Sequence, residues 1–240
     1  MNTTITAVLF DKDGTLFDFH RSWSSWAARL ISDVAGDYGA DAADVAECLG
    51  YDLTLGRFRA GSLSIAGSVQ DQALALAPVL GEADPGVLAR RIAGAAVGNV
   101  MHPIVPLLPL LDGLASRGLL LGVATNDAEV SARAQLTRAG VVDRFAYVAG
   151  YDSGHGAKPA PGMCLGFAEA MGLDPATVIM VGDSRHDLDA GRGAGMRTVA
   201  VLNGLTPEVE LAPLADVVLP HIGHLTGWLD DRGGLPERRS

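Results

Sequence analysis

Four polar clusters in the chain carry residue types suited to one chemistry: Asp11-Lys12-Asp13-Gly14-Thr15, Thr125-Asn126, Lys158-Pro159, and Gly182-Asp183-Ser184-Arg185-His186-Asp187. Brought together, Asp11, Asp183 and Asp187, with Asp13 close by, would repel one another and raise each other's pKa. A hard divalent cation relieves that repulsion, and an oxygen-rich site suits Mg²⁺. Lys158 adds a fixed positive charge and Thr125 a hydroxyl, and backbone N–H groups near Asn126 and Gly14 can face an anion. Carboxylates, a metal and anion donors in one place point to phosphate chemistry. Phosphate monoesters need accelerations of up to ~10²¹-fold. Positioning supplies about 7–11 kcal/mol of that, so a metal clamp and a covalent step are called for. An aspartate can serve as nucleophile, and a second carboxylate two residues later can protonate the leaving oxygen and then activate water.

These clusters need elements that bring them to one place. Residues 6–10, TAVLF, read as a short buried strand ending at Asp11. Residues 19–102 show no strand pattern. They show helices started by Ser22, Asp41, Ser64 and Asp84-Pro85. Beyond Pro103, strands at 119–126, 146–149, 178–183, 198–202 and 216–219 alternate with helices, which implies parallel strands joined by crossovers. Their apolar runs suit strands buried on both faces. The expected fold is α/β, a Rossmann-like parallel sheet core (1–18 and 103–232) with an α-helical cap (19–102) inserted after the first strand and a flexible tail (233–240). Ligands of such sheets bind at the carboxyl ends of the strands, where all four clusters fall. An insert leaving from there would sit over the site as a lid.

Composition narrows the partners. The net charge of −10 leaves no electrostatic footprint for nucleic acid. No apolar run is long enough to cross a bilayer, and the first residues, MNTTITAVLF, do not resemble a signal peptide. A cytoplasmic monomer or homodimer acting on a small phosphorylated metabolite is expected. The two cysteines, Cys48 and Cys164, make no disulfide framework and read as buried apolar residues on helices. Of the 18 basic residues only Lys12 and Lys158 are lysines. Both lie in the clusters above.

In order, FDKDGTL, ATN, KP and GDSRHD resemble the four motifs of the haloacid dehalogenase superfamily, and the helical insert resembles its cap of the first type. The nearest subgroup is the phosphoglycolate phosphatase-like phosphatases. The resemblance implies a Mg²⁺-dependent phosphatase acting on a small phosphomonoester, phosphoglycolate-like or a sugar phosphate, through an aspartyl-phosphate intermediate. It implies Asp11 as nucleophile and Asp13 as general acid and base. Mg²⁺ would be held by Asp11, the Asp13 carbonyl and Asp183, with Asp187 assisting. Gly14, Thr125 and Asn126 would bind phosphate, and Lys158 would steady the nucleophile and the transferring group. Ser184 stands where Thr is usual, which keeps the hydroxyl.

A phosphomutase of the same superfamily would keep all four motifs. A phosphonate hydrolase would need a cap lysine, and residues 19–102 contain none; a haloacid dehalogenase would lack Asp13. A receiver-like signalling module also gathers acids, a hydroxyl and a lysine around Mg²⁺, but it phosphorylates an Asp ending a later strand and has no cap.

The remaining polar residues divide more evenly. Arg57 and Arg59, in the Gly-bounded loop LGRFRAG, are candidates to recognise a substrate carboxylate or second phosphate, against a solvated-loop reading. Lys12 is read as structural, its side chain alternating away from those of Asp11 and Asp13. His155 and His186 are read as loop residues, His20 and Arg21 as hinge residues, and Trp23 and Trp26 as core of one helical face.

Overall fold

A computed structural model describes residues 4–59, 61–81 and 84–232. The proposed tail at 233–240 lies outside the described residues. The chain opens with β1 (Ala7–Phe10) and proceeds through α1 (Phe19–Tyr38), α2 (Ala42–Cys48), β2 (Tyr51–Asp52), β3 (Arg57–Phe58), α3 (Leu63–Ala66), α4 (Val69–Leu80) and α5 (Pro85–Val97). Then come α6 (Leu107–Ala115), β4 (Leu120–Ala124), α7 (Glu129–Arg138), β5 (Tyr147–Ala149) and α8 (Gly162–Met171). The last elements are β6 (Val178–Gly182), α9 (Arg185–Gly193), β7 (Arg197–Val201), α10 (Glu208–Leu211), β8 (Val217–Leu219) and α11 (Leu225–Arg232).

Six strands form one parallel sheet in the order β5-β4-β1-β6-β7-β8. Strand period decides how it is covered. Val8 and Phe10 point to a face shared with Leu111 of α6, Leu136 of α7 and Leu225 of α11. Ala7 and Leu9 point to the opposite face, against Met163 and Phe167 of α8 and Ala190 of α9. β1 lies at the centre because the chain first builds outward to β4 and β5, then returns to place β6 on its other side. That reversal opens a crevice at the carboxyl ends of β4, β1 and β6.

Residues 19–96 form a separate apolar cluster that includes Trp23, Trp26, Leu30, Leu76 and Ile92. Its helices start where short polar side chains can take up the orphan N–H groups. Asp18 accepts from Arg21, Asp41 from Ala43 and Asp84 from Gly86. Each such cap is worth about 1 kcal/mol.

The structure departs from the sequence reading in three places here. α1 begins at Phe19 rather than after Ser22, because Asp18 supplies the cap. The helix expected from Ser64 is broken at Gly67 into α3 and α4, with Ser68 and Asp71 forming a capping box at the restart. β2 and β3 pair antiparallel through Tyr51↔Phe58 and Asp52↔Arg57, so the insert is not purely helical. Strands of two residues are too short for any periodicity to announce them.

Candidate active site

Register places the site. Phe10 pairs with Val123 on one side and Val181 on the other. The next residue along each strand is therefore Asp11, Ala124 or Gly182, and one step further lie Thr125 and Asp183. The Asp11 N–H donates to the Val181 carbonyl at 2.8 Å, which carries the nucleophile candidate to the lip of the sheet.

Asp11, Asp183 and Asp187 are all buried, and one carboxylate oxygen from each lies within 4.8 Å of the other two. Lys158 crosses this group. Its Nζ donates to Asp11 Oδ1 and Asp187 Oδ1, both at 2.6 Å, and to the Ala124 carbonyl at 2.8 Å, which uses all three donors. The Lys158–Pro159 peptide is cis. Asn126 holds that loop at both ends of its amide: Nδ2 donates to the Lys158 carbonyl at 2.9 Å and Oδ1 accepts the Lys158 N–H at 2.8 Å. Asp187 Oδ2 accepts from the Ser184 N–H and hydroxyl, so Asp187 both caps α9 and anchors Lys158. Asp183 Oδ1 accepts from the Thr15 hydroxyl at 3.2 Å.

Burial governs the electrostatics. It pushes the Asp11 carboxyl up; Lys158 opposes this, Asp187 and Asp13 add to it, and the group settles at about 7. Burial likewise drives Asp183 well above the usual carboxylate range, reinforced by Asp11 and Asp187. Burial alone would lower the Lys158 ammonium, but Asp11 and Asp187 outweigh it and hold the group above an ordinary lysine.

The donor set fits a hard cation. Asp11 Oδ2 is buried without a hydrogen-bond partner, beside two further carboxylates, which is the environment a divalent ion stabilises. The backbone around it leaves room. A Cβ on Gly14, whose φ is +90°, would come within 2.4 Å of Asp183 Oδ2, and one on Gly204 within 1.8 Å of the same atom.

Asp13 faces the cap. Its Oδ1 accepts from Trp23 Nε1 at 2.7 Å and its Oδ2 pairs with Lys12 at 2.7 Å. Lys12 is fully buried and structural as expected, but it does not turn away from Asp13, because β1 ends at Phe10 and strand alternation lapses with it. Its Nζ also reaches Gln135 Oε1 at 2.5 Å and Asp127 Oδ2 at 3.2 Å, and lies 5.2 Å from the Trp23 ring centroid. Burial would lower this ammonium too, but Asp13 and Asp127 raise it overall. Gln135 Nε2 continues the network to the Ala96 carbonyl of α5.

Most of the expected residues therefore meet. A cleft between cap and sheet is lined by Asp11, Asp13, Thr125, Asn126, Lys158, Asp183 and Asp187. Arg57 and Arg59 do not line it. Phe58 points inward, against Phe19 and Tyr51, and its neighbours Arg57, on β3, and Arg59, just beyond it, point out. Both arginines are exposed; Arg59 pairs with Glu47 at 2.6 Å, and both border a separate shallow hollow with His20. Asn126 takes up its side chain on the Lys158 loop. Trp23 and Trp26 belong to the cap core, packing edge to face at 4.8 Å, yet also line the cleft, as does His186. Sequence reasoning missed Asp127, Gln135, Asn203, whose amide donates to the Gly14 carbonyl, and Gly204. Only the polar step Asn126-Asp127 at a strand end hinted at any of them. Cys164 is buried on α8 as expected, while Cys48 is half-buried at the end of α2.

Comparison with known proteins agrees with this geometry. The family model for haloacid dehalogenase-like hydrolases matches residues 5–195. A phosphoglycolate phosphatase of Rhodospirillum rubrum is 33% identical over 238 residues, covering 96% of this chain and 92% of its own. Among solved structures, a predicted phosphoglycolate phosphatase from Haemophilus somnus 129pt shares the fold with a TM-score of 0.72 at 18% identity, covering 93% of this chain and 97% of that one. A β-phosphoglucomutase from Clostridium difficile does so with a TM-score of 0.68 at 18% identity, over 95% and 98%. With the motif residues gathered at the switch point of the sheet, the chain belongs to the haloacid dehalogenase-like hydrolases and is a phosphoric monoester hydrolase.

Proposed function

We propose that the protein is a Mg²⁺-dependent phosphatase that hydrolyses a small phosphomonoester through a phosphorylated Asp11. The observation that carries this reading is the state of Asp11, which lines the cleft: one carboxylate oxygen is held by Lys158 at 2.6 Å, while the other is buried and unpartnered. An oxygen of the Asp11 carboxylate attacks phosphorus as the ester P–O bond breaks, and Asp13 gives its proton to the departing alcohol oxygen. Asp13 then takes a proton from water, whose oxygen attacks phosphorus and releases Asp11 and inorganic phosphate. Lys12 and Trp23 hold the Asp13 carboxylate in a single orientation for both transfers.

Asp11 and Asp183, with the Asp13 carbonyl, would hold the metal, and Asp187 would assist chiefly by fixing Lys158. When bound, the cation supplies charge neutralisation among the carboxylates and on the transferring phosphoryl group. Thr125 and backbone donors near Gly14 and Asn126 would orient the phosphate, with Lys158 beside it. The cap covers this end of the sheet and limits access to small substrates.

The test is phosphate release from small phosphomonoesters in Mg²⁺ and in excess chelator, with mass spectrometry of protein quenched during turnover. Chelation should abolish release, Mg²⁺ should restore it, and phosphate should be found on Asp11. Asp13→Asn should prolong that intermediate and Asp11→Asn should remove it. Full activity in chelator, or label on Asp183, would refute the reading; isomerised product without net phosphate release would indicate a mutase instead.

A further inference from the structure

The cap side of the cleft differs in character from the floor. Phe19, Phe58, Ile65, Val69 and Ile92 present apolar surface to it. Among the described residues lining it, Lys158 is the one lysine or arginine, and its three donors are already committed to Asp11, Asp187 and Ala124. The one imidazole, His186, comes from the sheet side, on α9. Arg57 and Arg59 are turned away on the outer side of β3.

Two unpartnered polar atoms interrupt this apolar wall. Trp26 Nε1, a donor, and Gln72 Oε1, an acceptor, are both buried with no hydrogen-bond partner, and both residues line the cleft. Their residues are only 7% and 8% exposed. Buried polar atoms without partners are costly and uncommon, and a ligand that pairs with them removes the cost. A second anionic group held here would meet aromatic and aliphatic walls above and five carboxylates below, with no uncommitted lysine or arginine among the described lining residues to neutralise it.

We propose that this site selects phosphomonoesters whose alcohol portion is uncharged and largely apolar, with one hydrogen-bond acceptor and one donor at its far end, over esters that carry a second anionic group. The assignment rests on the phosphatase reading above and narrows it. The acceptor of the substrate meets Trp26 Nε1, its donor meets Gln72 Oε1, and its apolar face packs on Phe19 and Phe58.

The experiment compares kcat/KM in Mg²⁺ for 4-carbamoylbenzyl phosphate, whose neutral amide carries an acceptor and a donor at its far end, and 2-phosphoglycolate, both esters of primary alcohols, with 4-nitrophenyl phosphate as a general substrate. The neutral ester should be preferred by about 10-fold or more. Gln72→Arg, which places a guanidinium on the cap wall, should move the ratio toward 2-phosphoglycolate by about 10-fold or more. Should that variant not fold, the ratio in the unaltered protein decides alone. Equal or better turnover of 2-phosphoglycolate by the unaltered protein overturns the assignment and leaves the phosphatase reading standing. No phosphate release from any of the three esters overturns both.

Discussion

Lys12 offers the sharpest test of how the site is held together. In Lys12→Met the aliphatic stem is kept and the ammonium is lost, along with the pairing to Asp13 and Asp127 and the bond to Gln135. Asp13 retains Trp23 and some contact with solvent. Asp127 fares worse: it is buried and keeps only the Ala128 N–H at 2.7 Å on its other oxygen. Removing one partner of a buried ion pair costs about 3–5 kcal/mol, which for a chain of this size lowers Tm by roughly 6–20 °C.

The loss should also depend on pH. Burial already raises the Asp127 carboxyl against the pull of Lys12, and without Lys12 it climbs further. Above the unfolded carboxylate pKa of about 3.9, native Asp127 holds a proton that the unfolded chain has released. The variant therefore loses stability as pH rises toward the native value. Urea unfolding followed by circular dichroism, in chelator at pH 5 and pH 8, should show the larger deficit at pH 8. Lys12→Met/Asp127→Asn should recover at least half of it. A deficit below about 1 kcal/mol at pH 8 with an unchanged m value, or one equal at both pH values, would show that Lys12 does not hold buried charge in place.

The remaining predictions concern the metal site. Burial raises Asp11 to about 7, so the metal-free native chain carries a proton there that the unfolded chain releases near pH 4. Metal-free stability should therefore fall as pH rises between those values, and Mg²⁺ should reverse the trend by displacing the proton. Calorimetric titration in two buffers of different ionisation enthalpy should show proton release at pH 6; Mg²⁺ affinity that is flat from pH 5.5 to 7 would contradict this. Gly204→Ala puts a Cβ 1.8 Å from Asp183 Oδ2, and either the loop or the carboxylate must move. A displacement of about 1 Å is expected to lower kcat about 100-fold at a stability cost of roughly 1–3 kcal/mol; kcat within two-fold of the unaltered protein would refute the packing argument.

What could be read before folding was local. The apolar run ending at Phe10, the alternation of strands and helices after Pro103, and the polar clusters at strand ends specify a parallel sheet with Asp11, Thr125, Lys158 and Asp183 at one edge. Each of those inferences rests on neighbours within a few residues, through strand period, caps and turn chemistry. Within the cap the same signals named the helices but misplaced the start of α1 and ran across the break at Gly67.

Tertiary structure decided the rest, because those facts are pairings across long separations. Lys12 meets Gln135 across 123 residues and Lys158 meets Asp11 across 147, and no local pattern encodes either contact. Gly204 matters only because the loop after β7 returns beside Asp183. Trp23 serves the site as well as the cap core, since α1 begins at Phe19, a short turn beyond Asp13, and brings the indole N–H back onto that carboxylate. Arg57 and Arg59 looked suited to an anion from residue type alone. The pairing of β2 with β3 turned Phe58 inward and them outward, and that single choice of face left the cap side of the cleft without a lysine or arginine among the described residues.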